Sequence, residues 1–209
     1  MTISKEQRLK NFVRDKMKEA LLVCGRDIVA DQGIEALSAR KLAVKANSSV
    51  GMIYGLFGTM DGFVSQLNVM TLQNLYEQMT KIVLGRNPFN NLNRYMDVLA
   101  TFIALNPNLW HLLFTSQMTT KAQKSSIAEA RIIKKIDILI GMQTAKLIKG
   151  LSGKEKRLSI KVLEMSLFAL SGYLLGNKLN PKSGVNRGNL CKLLMNTYIA
   201  GLASLKKVK

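Results

Sequence analysis

Between Ser38 and Tyr54 the chain sets hydroxyls and cations at short spacing: Ser38, Arg40, Lys41, Lys45, Ser48, Ser49 and Tyr54. These groups do not form a catalytic constellation. They donate hydrogen bonds, and the acceptors that suit them are phosphate oxygens and the edges of nucleic-acid bases. Chemistry is sparse elsewhere. His111 is the single histidine, which removes most histidine-based acid–base and metal sites. No phosphate-binding glycine loop, nucleophile elbow or meaningful carboxylate pair occurs. Cys24 and Cys191 are far apart and outside any metal-ligand spacing. They read as small apolar residues in a reducing cytoplasm. The expectation is a cytoplasmic non-enzyme with no metal and no cofactor.

The elements that must hold these donors are helical. Met17, Leu21, Cys24 and Ile28 follow at steps of four, three and four, one apolar face of a helix. Gly33 suits its left-handed C-terminal position. Ser38 is a good N-cap for a second helix over 39–46, and Leu37 with Leu42 can form a hydrophobic staple. Leu42 and Ala43 then face inward, while Arg40, Lys41 and Lys45 face out. Asn47 tolerates the left-handed conformation of a tight turn. Ser49 caps a third helix over 50–57. Gly58 and Thr59 break the chain, and Asp61 starts a fourth helix through Phe63, Leu67, Met70, Leu75, Met79 and Ile82. Short helices joined by a three- or four-residue turn suit a steep crossing. Residues 17–63 therefore read as a helix-turn-helix unit.

Further helices follow. Pro88 suits the first turn of one through Tyr95, Leu99, Phe102 and Ile103. Asn106, Pro107 and Asn108 interrupt it before a short aromatic helix over 109–114. Others cover about 125–149, 155–178 and 187–206, with a polar loop over 180–188. No period-two strand pattern stands out. The expected fold class is all-α: a three-helix N-terminal helix-turn-helix domain, 1–60, and a larger helical domain for ligand binding and dimerisation, 61–209. Residues 1–13, with Lys5, Arg8 and Lys10, read as a mobile polar arm, either separate from the first helix or running into it. The most apolar stretch, 165–176, is too short for a bilayer, which needs about 20 residues, so no membrane partner is expected.

Charge gives weaker guidance than motif. The net charge of +18 suits a polyanionic partner. Yet residues 1–60 carry ten Lys/Arg against six Asp/Glu, and 121–209 carry eighteen against four. The cations concentrate away from the helix-turn-helix. They serve solubility or a second polyanion contact.

The run from Gly33 through Ser38, Arg40, Leu42 and Ala43, then Asn47, and on to Gly51, Ile53, Tyr54 and Phe57 resembles the DNA-binding end of the TetR family. That pattern has a glycine, a Ser/Thr cap, a basic residue, an apolar-Ala pair, a tight turn and a Gly-x-apolar-Tyr-x-x-Phe helix. The match covers about the first quarter of the chain. Asn47, Val50, Gly55 and Met60 depart from it, and each departure removes a polar contact or loosens a helix. More weakly, Asn106 to Phe114 and Tyr198 to Leu202 resemble the subgroup with a Trp-His-Gly signature in its ligand domain. In that signature Gly172 matches, while Phe168 and Ser171 stand for the Trp and His.

The resemblance implies a ligand-responsive regulator, usually a repressor, bound to a double-stranded pseudo-palindromic operator as a homodimer. A small apolar or amphipathic effector, not identified by the sequence, would release it. The third helix would enter the major groove. Ser48, Ser49, Val50 and Met52 are then the candidates for base edges, with Val50 or Met52 against a thymine methyl. No Lys or Arg on that helix can grip guanine, so an A·T-leaning operator is expected. Arg40, Lys41, Lys45, Tyr54 and the capping serines would hold phosphates. Tyr54 and Arg40 also fit plain structural roles. Phe102, Trp110, His111, Phe114 and Met118 are the candidate ligand pocket, or else core. Leu167, Leu170, Gly172, Leu174, Leu194, Tyr198 and Gly201 are the candidate dimer interface, or else monomer core. Two other readings stay open: a non-specific or architectural DNA-binding protein, and a small-molecule carrier on the same fold.

Overall fold

Local capping sets the helix ends before any packing does. Ser4 precedes the first helix and accepts from the amide of Gln7 at 3.2 Å. Helix α1 then runs Lys5–Gln32 and ends at Gly33, whose φ of 81° lies in the left-handed region. A single 3-10 turn, Ile34–Ala36, leads to Ser38, which accepts from the amide of Lys41 and starts α2, Ala39–Lys45. Ser49 accepts from the amide of Met52 at 3.1 Å and starts α3, Val50–Phe57. Thr59 accepts from the amide of Gly62 at the head of α4, Met60–Thr80. Asn87 caps α5, Pro88–Leu105. Then come α6, Pro107–Met118, α7, Ile127–Leu147, α8, Gly153–Leu179, and α9, Arg187–Lys207.

This computed structural model describes residues 4–118, 126–179 and 187–207. Among the described residues the chain is all-α, with no strand. The polar arm expected over 1–13 is helical from Lys5 onward, and Leu9, Phe12 and Val13 stand exposed on it. Most of the polar loop expected over 180–188 lies outside the described residues.

The helices group into two compact units. One takes residues 4–71, 108–118 and 126–129 of those described. It holds α1 to α3, the first half of α4, α6 and the start of α7. Its core is one cluster: Leu21, Ile28 and Val29 of α1, Leu42 and Ala43 of α2, Ile53 and Phe57 of α3, Phe63 and Leu67 of α4, and Leu109 and Leu112 of α6. Phe57 meets Phe63 edge-on at 4.8 Å between ring centroids, the arrangement aromatic quadrupoles favour. Gly25 lets α4 come close to α1. A Cβ there would stand 2.4 Å from Phe63 Cζ.

The other unit takes 72–107, 130–179 and 187–207. It packs α5 against α8 and α9. Buried Asn91 ties its α5 to the turn before it, exchanging hydrogen bonds with the backbone of Gly85, and its Nδ2 also reaches Gln143 Oε1 of α7 at 3.1 Å. Tyr198 donates to the carbonyl of Ser159 at 2.9 Å, joining α9 to α8. Burial raises its pKa to about 12, so this hydroxyl keeps its proton and its bond well into alkaline solution.

Candidate nucleic-acid interface

Helices α2 and α3 are joined by a turn whose first amides all donate back into α2. Asn47, at φ 46°, is the only non-glycine with positive φ among the described residues. Around it the amide of Asn47 donates to Val44 at 3.2 Å and that of Ser48 to Ala43 at 2.9 Å. This pair of bonds is a Schellman closure, which satisfies two carbonyls at the end of α2. Cys24 of α1 sets its thiol 3.9 Å from the carbonyl of Lys45, so α1 braces the same corner.

The third helix is two-sided. Ile53 and Phe57 point into the core, and Leu56 and Val50 pack against it. Gly51, Met52, Tyr54 and Gly55 are exposed. This face carries no charge, and its two glycines keep it low. Nothing in the chain lies within 4 Å of where a Gly55 Cβ would sit. Glycine in a helix interior costs about 1 kcal/mol relative to alanine, and no internal contact accounts for it here.

Of the residues expected to meet DNA, Arg40, Lys41, Lys45, Ser49, Met52 and Tyr54 are exposed and Ser48 is half-buried. Tyr54 is 45% exposed, which removes it from the core. Lys41 donates to Gln32 Oε1 at the end of α1, and Ser48 Oγ lies 3.3 Å from Met52 Sδ. Ser38 and Ser49 use an oxygen lone pair as caps, which leaves each hydroxyl proton to donate outward. Val50 is half-buried and its side chain leans on the core, because the first residue of α3 shares the face of Ile53 and Phe57. Sequence reading passed over Val44, which is 83% exposed on α2 beside Lys45. Its signal was an apolar residue at an outward helical position.

The expected ligand residues divide between the units. Phe102 is buried on α5 in the unit of α8 and α9. Trp110 is buried, Phe114 half-buried and His111 exposed, all on α6 in the unit of the helix-turn-helix. The side chain of Met118 lies outside the described residues. Helix α6 is anchored to α1: Asn108 Nδ2 donates to the carbonyl of Ala30 at 2.8 Å, and Leu109 and Leu112 belong to the shared core.

Of the expected dimer residues, Leu167, Leu170 and Leu174 are buried within the single chain, Gly172, Leu194 and Tyr198 are half-buried, and Gly201 is exposed. The opposite face of α8 is apolar as well. Leu158, Val162, Met165, Phe168 and Tyr173 are each between 43% and 63% exposed. The apolar run is also longer than the stretch 165–176 suggested. Gly153–Leu175 is long and apolar enough to cross a membrane by length and composition, while its inner face serves the core of this unit.

No family model matches the sequence, and no curated protein matches it. Solved structures do. A TetR-like transcriptional regulator from Rhodococcus sp. RHA1 is 18% identical, with a TM-score of 0.60 over 90% of this chain and 96% of that one. The transcriptional regulator FadR from Bacillus subtilis, solved with stearoyl-CoA, is 13% identical, with a TM-score of 0.67 over 88% and 98%. BioQ, solved with its double-stranded DNA operator, is 14% identical, with a TM-score of 0.63 over 90% and 98%. The chain thus has the fold of TetR-like transcriptional regulators, an N-terminal helix-turn-helix with a C-terminal helical domain.

Proposed function

We propose that this chain is a TetR-family regulator, a repressor that binds a pseudo-palindromic DNA operator as a homodimer and leaves it when a small apolar or amphipathic effector binds. The observation that carries this reading is α3: a capped, core-anchored helix with a low, uncharged outer face that carries Tyr54, flanked by Arg40, Lys41 and Lys45. Such a helix fits a major groove, with the flanking donors on phosphates. With no cation on α3, the operator leans to A·T. Similarity to the operator-bound BioQ fold supports the DNA partner, and similarity to FadR with stearoyl-CoA supports an effector with an apolar part.

The homodimer rests on α8. An outer face of five large apolar side chains is rare on a lone soluble chain, and a twin packed face to face by a two-fold would cover it. Two reading helices about 34–36 Å apart would then meet successive turns of DNA. The effector response rests on α6, which carries Trp110 and Phe114 and shares the core that braces α3. An effector that favours one placement of α6 shifts the population of DNA-competent molecules, and one that binds both placements equally does nothing. We assign the domains as 1–60 and 61–209, with α6 as the segment of the second that reaches the first.

Salt titration tests the DNA contact. Arg40→Ala should flatten the slope of log affinity against log salt by about 2, for two copies in a dimer. An unchanged affinity and slope would remove Arg40 from the interface. The cation surplus in 121–209 favours a second reading, a non-specific DNA-binding protein. Footprinting separates the two, since a regulator protects one defined pseudo-palindrome.

A further inference from the structure

Full burial on α1 begins only at Leu21. From Lys5 to Met17 every residue of this helix is exposed. A free helix of this length is marginal in water, and most helices are held by packing an apolar face. This stretch carries such a face. Leu9, Phe12 and Val13 follow at steps of three and one, which puts them on one side. They are 63%, 60% and 52% exposed. Met17 extends the stripe one turn after Val13. The stripe is not the core face carried on. Leu21 and Ile28 stand two turns apart on the buried side of α1, and that row continues back through Arg14 and Gln7.

Cations border the stripe on every side. Arg8 stands four residues before Phe12 and Lys10 three before Val13, so each flank carries one. Lys5 and Lys16 close the two ends. Residues 5–18 hold six Lys/Arg against two Asp/Glu. Lys10 and Lys16 pair with Glu6 and Glu19 at 2.6 and 2.9 Å, but exposed pairs of this kind add little in water.

The partner must take large apolar side chains and meet positive charge along both flanks at once. A second copy of this stretch brings the same cations and is repelled. A DNA duplex takes the cations, but its phosphates offer the stripe nothing apolar. An anionic bilayer surface does both. Apolar side chains enter the acyl boundary, while Lys and Arg stems lie along it and hold their heads at the lipid phosphates. A helix lying on the surface needs no apolar run of spanning length.

We propose that the N-terminal half of α1 docks in the plane of an anionic lipid bilayer, with Leu9, Phe12 and Val13 inserted and Arg8 and Lys10 at the headgroups. The proposal does not depend on the regulator reading. A docked molecule holds its helix-turn-helix unit at the membrane, since the C-terminal half of α1 belongs to that unit's core.

The test uses the full chain with vesicles of phosphatidylcholine alone and of equal parts phosphatidylcholine and phosphatidylglycerol. The whole chain is strongly basic, so insertion must be read as well as adhesion. Phe12→Trp puts a reporter in the stripe, and buried Trp110 gives a constant background. On the mixed vesicles the emission should shift to the blue and lose at least half of its quenching by acrylamide. Neutral vesicles should change neither. Leu9→Ser with Phe12→Ser keeps every charge and should weaken cosedimentation with the mixed vesicles at least tenfold. Arg8→Gln with Lys10→Gln keeps the stripe and should weaken it at least fivefold. All four residues are exposed, so the unfolding midpoint should hold in each variant. Equal cosedimentation of the serine variant and the parent, or a reporter still fully quenched on mixed vesicles, would overturn the proposal. Shielding of the reporter by duplex DNA in place of vesicles gives the stripe to nucleic acid and overturns it too. So does shielding that grows with protein concentration alone, which gives the stripe to a second copy.

Discussion

Helices α3 and α8 are both two-sided, but their outer faces call for opposite partners. In α3 the inner face is large and apolar, Ile53 and Phe57, and the outer face is glycine, methionine and tyrosine. In α8 both faces are apolar: Leu163, Leu167, Leu170 and Leu174 turn inward, and Leu158, Val162, Met165, Phe168 and Tyr173 turn outward. Small and polar groups on an outer face suit a hydrated partner approached closely. Large apolar groups suit a dry partner of matching shape. The difference teaches that core formation accounts for one face of each helix only. On the proposed reading, the other face meets a partner outside the chain.

The largest effect should come from charging the outer face of α8. Val162→Glu with Met165→Glu places like charges against their counterparts in a twin, which costs several kcal/mol. Sedimentation should then show a monomer, and DNA affinity should fall by more than a hundredfold. Circular dichroism should stay unchanged, because neither residue is in the core. A dimer that survived both substitutions would remove this face from the interface.

A middle-sized effect should come from the joint between α1 and α4. Gly25→Ala forces a methyl against the ring of Phe63, and overpacking of this kind costs about 1–3 kcal/mol. Denaturant unfolding should show the loss. DNA binding should weaken in step with stability, since the same core holds α3 in place.

The smallest effect carries the sharpest sign. Gly55→Ala adds a methyl in open space on α3. Helix propensity should raise stability by about 0.5–1 kcal/mol, while the same methyl holds the helix off its groove and weakens DNA binding. A variant both more stable and equally tight would show that the low face of α3 is not used.

Legibility in the sequence followed the range of the forces. Ser38, Ser49, Asn47 and Gly33 act within a few residues of themselves, and the C-terminal end of α1 and both ends of α2 and α3 read from them agree with the structure to within a residue. The 3-10 turn at Ile34–Ala36 escaped because its three residues carry no period. The allegiance of α6 was not legible. Leu109 and Leu112 stand three apart, a spacing that suits any core, and only long-range packing gives them to the helix-turn-helix unit. The outward face of α8 was hidden for a related reason: when leucines and methionines circle a helix, periodicity cannot say which side faces out. The half-burial of Val50 was not legible, because the cap at Ser49 fixes where α3 starts, while the side it turns to the core depends on Ile53 and Phe57. The pairing of Asn68 with Ser116 and of Ser65 with Glu129 spans 48 and 64 residues. Lone polar residues within apolar runs gave no sign of it.

The most direct measurement is selection of bound sequences from random double-stranded DNA by the full chain. The account predicts one pseudo-palindromic consensus. Its A·T-leaning half-sites should be centred one helical turn apart, about 10–10.5 base pairs. Binding that enriches no sequence, or a consensus dominated by guanine contacts at a single unpaired site, would contradict it.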